Sequence, residues 1–268
     1  MNFWSLANLR DPAESINLPN SNISALAVAP ETNTLLVGDE IGGIQSILPS
    51  NMNSAAATSG TSSGRNTSSS GRRTVKRLNG GHEDRNGHFG MITGISTKVL
   101  PTRHSHHSAT SRSVSRGFLT GSQGLVLTCG VDWSTKLWAP AYKEEPILSF
   151  FSHCYDYMAD VQWSPTNSAI FATASCKGTL GLWNLANDLD EPMTGPEGIP
   201  IEVDMDMSTS SRGGLNKLKW SSDGRRIAVA SSDRLHILGM TDEVSKPKPD
   251  DETKMINNLT SRGFLDEL

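Results

Sequence analysis

Short runs in which apolar and polar residues alternate recur along this chain, each closed by a turn and followed by another run. Residues 124–138 read GLVLTCGVDWSTKLW and residues 170–183 read IFATASCKGTLGLW, each a strand, a polar turn and a second strand ending in Trp. A leading strand precedes each such pair: ISALAVAP at 23–30, MITGIS at 91–96, MADVQWSP at 158–165 and LNKLKWSSDG at 215–224. Aligned on one another these place Leu26, Ile95, Val161 and Leu218 in register, with Val28, Trp163 and Trp220 two residues on and so on the same face. The second and third strands are read at 34–47, 124–138, 170–183 and 226–238, and weaker fourth strands at 74–78, 146–151 and 200–205. Four repeats of one meander predict an all-β chain whose units bury their faces on each other.

The aligned leading positions are 69, 66 and 57 residues apart because insertions intervene. Residues 50–73 are nearly all Ser, Thr, Gly, Asn and Ala, and residues 101–116 read PTRHSHHSATSRSVSR. Such segments bury too little apolar area to offset their ordering entropy, so both are expected to be disordered surface loops. Residues 241–268 are expected to form a polar C-terminal tail with at most a short helix near 251–260. At the other end, residues 3–6 (FWSL) resemble the close of a third strand, with residues 15–18 as the fourth strand behind it.

Trp138 and Trp183 lie 45 residues apart, inside the roughly 40–45 residue period of WD-repeat propeller blades. Residues 1–240 are therefore expected to form a WD-repeat β-propeller as an incomplete ring of about four blades plus a half blade. The second unit carries the polar set of such a repeat: His88 before the leading strand, Thr128 on the second strand, Asp132 in the turn and Trp138 at the strand end. An acid–base pair of His88 and Asp132 is one reading of these residues. The reading preferred here is structural, with each polar group satisfying another across the blade, as a low-dielectric interior requires. Trp138, Trp163, Trp183 and Trp220 are expected in the core, and in the third unit Lys177 stands where the second has Asp132.

Composition narrows the function classes. The net charge is −4 with both signs spread along the chain, so no global field favours nucleic acid or a membrane surface. No apolar stretch approaches the roughly 18–20 residues that span a bilayer. The N-terminus has neither a basic region nor an apolar core. The three cysteines form no CxxC pair, which fits a reducing compartment. His104, His106 and His107 have no nearby Cys or carboxylate to complete a tetrahedral site, so no metal and no cofactor is expected. No phosphate-binding Gly loop, nucleophile elbow or HExxH appears, and the chain is expected not to be an enzyme.

The wording of several segments is more specific than the repeat. VDWSTKLW, then PILSFF, then YDYMADVQWSPTNSAIFATASCKGTLGLWNLANDLDEP resemble the C-terminal propeller of cytoplasmic dynein intermediate chains. So do GHFGMITGI at 87–95, FWSLANLRDP at 3–12 and LNKLKWSSDGRRIAVASSD at 215–233. The resemblance implies a non-catalytic motor subunit, cytoplasmic and microtubule-associated through the dynein complex, whose propeller binds the dynein heavy chain. In that family light chains and dynactin bind a region upstream of the propeller, which this sequence is expected to lack. The alternative is a WD-repeat adaptor of another complex, such as a ubiquitin-ligase substrate receptor.

Overall fold

The computed structural model describes residues 22–29, 34–48, 74–80, 86–98, 124–140, 142–151, 155–193, 202–204, 214–232 and 234–264, with scattered positions before residue 22. The insertions expected at 50–73 and 101–116 lie outside the described residues, as do Trp4 and His104, His106 and His107.

A short antiparallel pair, β1 (Asn2–Phe3) and β2 (Glu14–Ser15), precedes four meanders. The first blade is β3 (Ile23–Ala29), β4 (Thr34–Asp39), β5 (Gly43–Leu48) and β6 (Thr74–Gly80). The second is β7 (Ile92–Lys98), β8 (Leu125–Gly130), β9 (Ser134–Trp138) and β10 (Leu148–Phe151). The third is β11 (Met158–Trp163), β12 (Ile170–Ser175), β13 (Thr179–Asn184) and β14 (Glu202–Asp204). The fourth shows three strands, β15 (Leu215–Trp220), β16 (Arg226–Ser231) and β17 (Leu235–Gly239). Each blade is antiparallel in chain order. All four first strands carry an irregularity at the same register, between Ile23 and Ala25, Ile92 and Gly94, Met158 and Asp160, and Leu215 and Lys217. A shared bulge marks the units as copies of one design.

The blades stack face to face. In β8 and β12 every residue is buried. Leu125, Leu127 and Cys129 pack toward the third blade, while Val126 packs toward the first. Phe171 packs toward the second blade, and Ile170, Ala172 and Ala174 toward the fourth. These strands have no polar face because both faces are covered, which is why they read as near-continuous apolar runs. Between the second and third blades Phe171 and Trp183 stack with centroids 5.8 Å apart, and Phe150 and Trp163 close around them at 5.0 to 5.6 Å.

Polar ties cross the same interfaces. Thr93 Oγ1 donates to the Met158 carbonyl at 2.6 Å, and Ser96 Oγ accepts the Trp163 amide at 3.0 Å. Lys98 Nζ donates to the carbonyls of Ser164 (2.5 Å) and Asn167 (3.3 Å), and its burial brings the ammonium down to about 8. Asp160 accepts the Leu218 amide of the fourth blade at 3.0 Å while lying against Gly94 of the second. A Cβ on Gly94 would meet the Asp160 carboxylate at 2.6 Å, so only glycine admits this link.

Ile95, Val161 and Leu218 each pack on the preceding unit. Leu26 occupies the same register in the first blade but is 53% exposed, with Val28 beside it also exposed. At the opposite end of the stack Leu235 and Ile237 are exposed on the fourth blade. Leu26 and Val28 at one end and Leu235 and Ile237 at the other are thus exposed, while Ile16 and Leu18 pack over Val37 and Ile47 on the outer side of the first blade.

The segment after Met240, polar in composition, folds back onto the blades through α1 (Asp242–Ser245) and α2 (Asp251–Ser261). Met255, Ile256 and Leu259 share one helical face and enter the core between the second and third blades. Asn258 Nδ2 donates to the carbonyls of Leu185 and Ala186, and Asn167 Nδ2 donates to Asp251 at 2.8 Å. No helix among the described residues is long and apolar enough to cross a membrane.

The aromatic cluster should dominate stability. Phe171→Ala should cost about 3–5 kcal/mol, because stacked rings on both sides prevent collapse of the cavity. Leu26→Ser, at an exposed position of the first blade, should stay within about 0.5 kcal/mol. Urea unfolding of the two variants checks the contrast, and comparable losses would contradict it.

Candidate functional site

The polar set of the second blade is assembled as one chain of hydrogen bonds. His88 sits in the loop leading into β7, Thr128 on β8, Asp132 in the tight turn to β9 and Trp138 at the end of β9. His88 Nδ1 lies 3.0 Å from both Asp132 oxygens, and Nε2 lies 2.7 Å from Thr128 Oγ1. The Trp138 indole N–H donates to the same Thr128 oxygen at 2.7 Å. Trp138 must donate, so Thr128 accepts from it and gives its own proton to His88 Nε2. That leaves Nδ1 as the protonated nitrogen, donating to Asp132. Every N–H and O–H donor in the chain then has an acceptor.

Asp132 also accepts the Phe89 amide at 3.1 Å and the Ser134 amide and hydroxyl at 3.2 and 2.8 Å. Burial by itself would raise its carboxyl, but the hydrogen bonds from His88, Phe89 and Ser134 outweigh it and hold the group well below the usual carboxylate range. Burial pulls the His88 imidazole below its ordinary value, against the opposing pull of Asp132. The pair is therefore a neutral imidazole on a carboxylate near neutral pH.

The arrangement braces the blade and offers no reacting atom a place. His88 and Thr128 are fully buried, and both His88 nitrogens are occupied. The third blade keeps half of the device: Trp183 donates to Thr173 at 3.2 Å, while the Ser175 hydroxyl accepts the amides of Lys177 and Thr179 in its turn. Trp163 and Trp220 are buried as well. Trp220 donates to the Gln162 carbonyl at 3.3 Å, and the Trp163 N–H meets no partner among the described residues.

Chemistry elsewhere is sparse among the described residues. No three His, Cys, Asp or Glu side chains converge as metal ligands. Cys129 is buried, and that burial pushes its thiol up to about 12, which makes it inert as a nucleophile. A cleft of about 370 Å³ beside α1 is lined by Asn184, Asp188, Glu191 and Glu243 among others, with no Ser, Thr, Cys, Lys or His in its lining.

Sequence reasoning missed one feature. Aromatic side chains project from the end of the blades where the second-to-third-strand turns and the loops entering the first strands emerge. Phe89 is 74% exposed, Tyr155 70% and Trp133 47%, with Phe151 and Tyr157 exposed beside them. Trp133 has a φ of 68°, the left-handed region that a bulky residue rarely enters. The signal was legible in principle. Turn positions that favour Gly, Asn or Asp carry Trp133 and the Tyr155 and Tyr157 pair instead.

No family model matches the chain. It is similar to a cytoplasmic dynein 1 intermediate chain of Drosophila melanogaster, 26% identical over 264 residues that cover 96% of this chain and 32% of that protein. It is also similar to a ciliary dynein intermediate chain 2 of Heliocidaris crassispina, 28% identical over 98 residues, covering 37% of this chain and 13% of that one. The chain spans about a third of the length of the first relative. The resemblance carried by the D-W-x-x-K-L-W and W-N-L-x-N-D wording is borne out: the curated homologues are dynein intermediate chains, and the fold is an all-β WD-repeat propeller.

His88 gives the blade a pH dependence of defined sign. An unfolded imidazole takes its proton near pH 6.5, and His88 in the fold takes it lower, so the unfolded state binds more protons between the two values. The contribution is complete above about pH 6.5 and drains away as pH falls through the depressed value. Urea unfolding at about pH 7.5 and about pH 5.5 should show the loss in the native chain. His88→Gln should be less stable at the higher pH but lose less on acidification, and equal losses would assign the effect to other groups.

Proposed function

We propose that this chain is a non-catalytic scaffold subunit of a dynein motor complex, its propeller holding the dynein heavy chain. The observation that carries the reading is the similarity to dynein intermediate chains along nearly the whole chain. The hydrogen-bonded set supports it, since His88 and Asp132 are spent on bracing the blade. The subunit would work in the cytoplasm, linked to microtubules through the motor. Domain organisation follows the same reading: residues 1–240 make the blades, and the segment 241–268, polar in composition, docks onto them through the apolar face of α2. Light chains and dynactin, which engage an upstream region in the family, are not assigned to these residues.

Co-purification decides between this and a WD-repeat adaptor of a ubiquitin ligase. An affinity-tagged copy expressed in its own cells should retain the dynein heavy chain through washing. Recovery of cullin adaptors without heavy chain would overturn the proposal.

A further inference from the structure

Each first strand resumes its ladder after the shared bulge with one residue: Ala25 in the first blade, Gly94 in the second, Asp160 in the third and Lys217 in the fourth. Stacking brings these equivalent positions to neighbouring places. The first two residues are small and neutral, the third is an acid and the fourth a base. Asp160 therefore meets Gly94 on one side, where a Cβ would touch its carboxylate at 2.6 Å. On the other side it meets Lys217, whose Nζ lies 3.7 Å from Asp160 Oδ1.

The two charges stand in unequal surroundings. The Asp160 side chain is 4% exposed and that of Lys217 63%. Asp160 Oδ1 accepts the Val161 amide and Oδ2 the Leu218 amide, both at 3.0 Å. The Cys129 thiol, un-ionised because of its burial, borders the same spot beside Gly94. These groups bond or touch the carboxylate without bringing a full positive charge, and Lys217 supplies it. Lys217 Nζ also donates to the Thr93 carbonyl at 3.2 Å, and Thr93 Oγ1 donates to the Met158 carbonyl. One ammonium thus ties the second, third and fourth blades around a buried anion. Taking it away leaves that anion uncompensated, which is costly.

The fourth blade has little other support. The core it shares with the third contains one aromatic residue, Trp220, where Phe150, Trp163, Phe171 and Trp183 join the second blade to the third. On its far side Leu235 and Ile237 are exposed. A unit covered on one face opens locally before the rest unfolds. Beyond it α2 is seated between the second and third blades and anchors the chain, so opening of β15 to β17 is a local and reversible movement.

We propose that Asp160 and Lys217 form a charge clasp that sets how often the fourth blade opens, with Lys217 as the half reachable from solvent. Loss of the lysine charge releases the blade, and loss of the acid charge makes the lysine dispensable.

Native-state hydrogen exchange of the full chain, read by fragment mass spectrometry, tests the clasp. Lys217→Gln should speed exchange in β15 and β16 about tenfold, with β12 and β13 unchanged. Lys217→Arg, which keeps the charge, should exchange like the native chain. Asp160→Asn retains an oxygen for the Leu218 amide, and in that background Lys217→Gln should add no more than about twofold. A salt series needs no Asp160 variant. About 1 M NaCl screens the exposed ammonium and should speed exchange in the native fourth blade more than in Lys217→Gln. Four results would each overturn the proposal: Lys217→Gln exchanging like the native chain, acceleration spread over all the blades, an equal effect of Lys217→Arg, or an undiminished effect of Lys217→Gln beside Asp160→Asn. Heavy-chain capture plays no part in this measurement, so either proposal can fall alone.

Discussion

The constraint on which this structure depends is that its inner sheets have no solvent face. A twisted four-stranded meander has two surfaces to cover and is too small to cover either alone. Here the second and third blades bury both, and β8 and β12 are sealed from end to end. The cohesion is aromatic where those two blades meet, with Phe150, Trp163 and Trp183 all in ring contact with Phe171. Rings of this size remove large apolar areas from water and lock one another's rotamers.

Covering both faces has a consequence for polar groups, which can no longer reach water. The His88–Thr128–Trp138 chain is one answer, giving each of its protons an acceptor inside the blade. Asp160 is another. Its carboxylate stays buried, burial raises its pKa, and amide N–H groups of Val161 and Leu218 compensate the charge. The amide of Leu218 belongs to the next blade, so a polar necessity becomes a tie between units. Only Gly94 on the opposite side leaves room for it.

The sequence displayed the strands because period-two alternation survives burial on both faces at the first strands, where Val161 and Trp163 bracket Gln162. The hydrogen-bonded set was legible for the same reason that it exists: His, Thr, Asp and Trp at fixed places in one repeat have few other ways to be satisfied. Exposure at the ends of the stack follows from an incomplete ring, but the alternation along a strand does not mark it. Leu26 and Val28 obey the same pattern as Val161 and Trp163, and only a neighbour decides whether such a face is buried. Composition also hid the role of α2. Met255, Ile256 and Leu259 are few among charged residues, yet a single helical face suffices to plug a core left open by two blades.

Asp132 joins the interior of this protein to its surface. One of its oxygens is engaged with His88 and Ser134, and the other also takes the amide of Phe89. The same carboxylate thereby fixes the two backbone segments from which Phe89 and Trp133 project. A rigid turn lets large aromatic side chains stand in water without the loop collapsing to bury them, because the backbone donors that collapse would need are already committed. In the third blade the Ser175 hydroxyl holds the corresponding turn, and the Tyr157 carbonyl holds the Cys176 amide, so the same logic is met with different residues. Internal satisfaction of the blade and presentation of an apolar surface are thus two effects of one set of bonds.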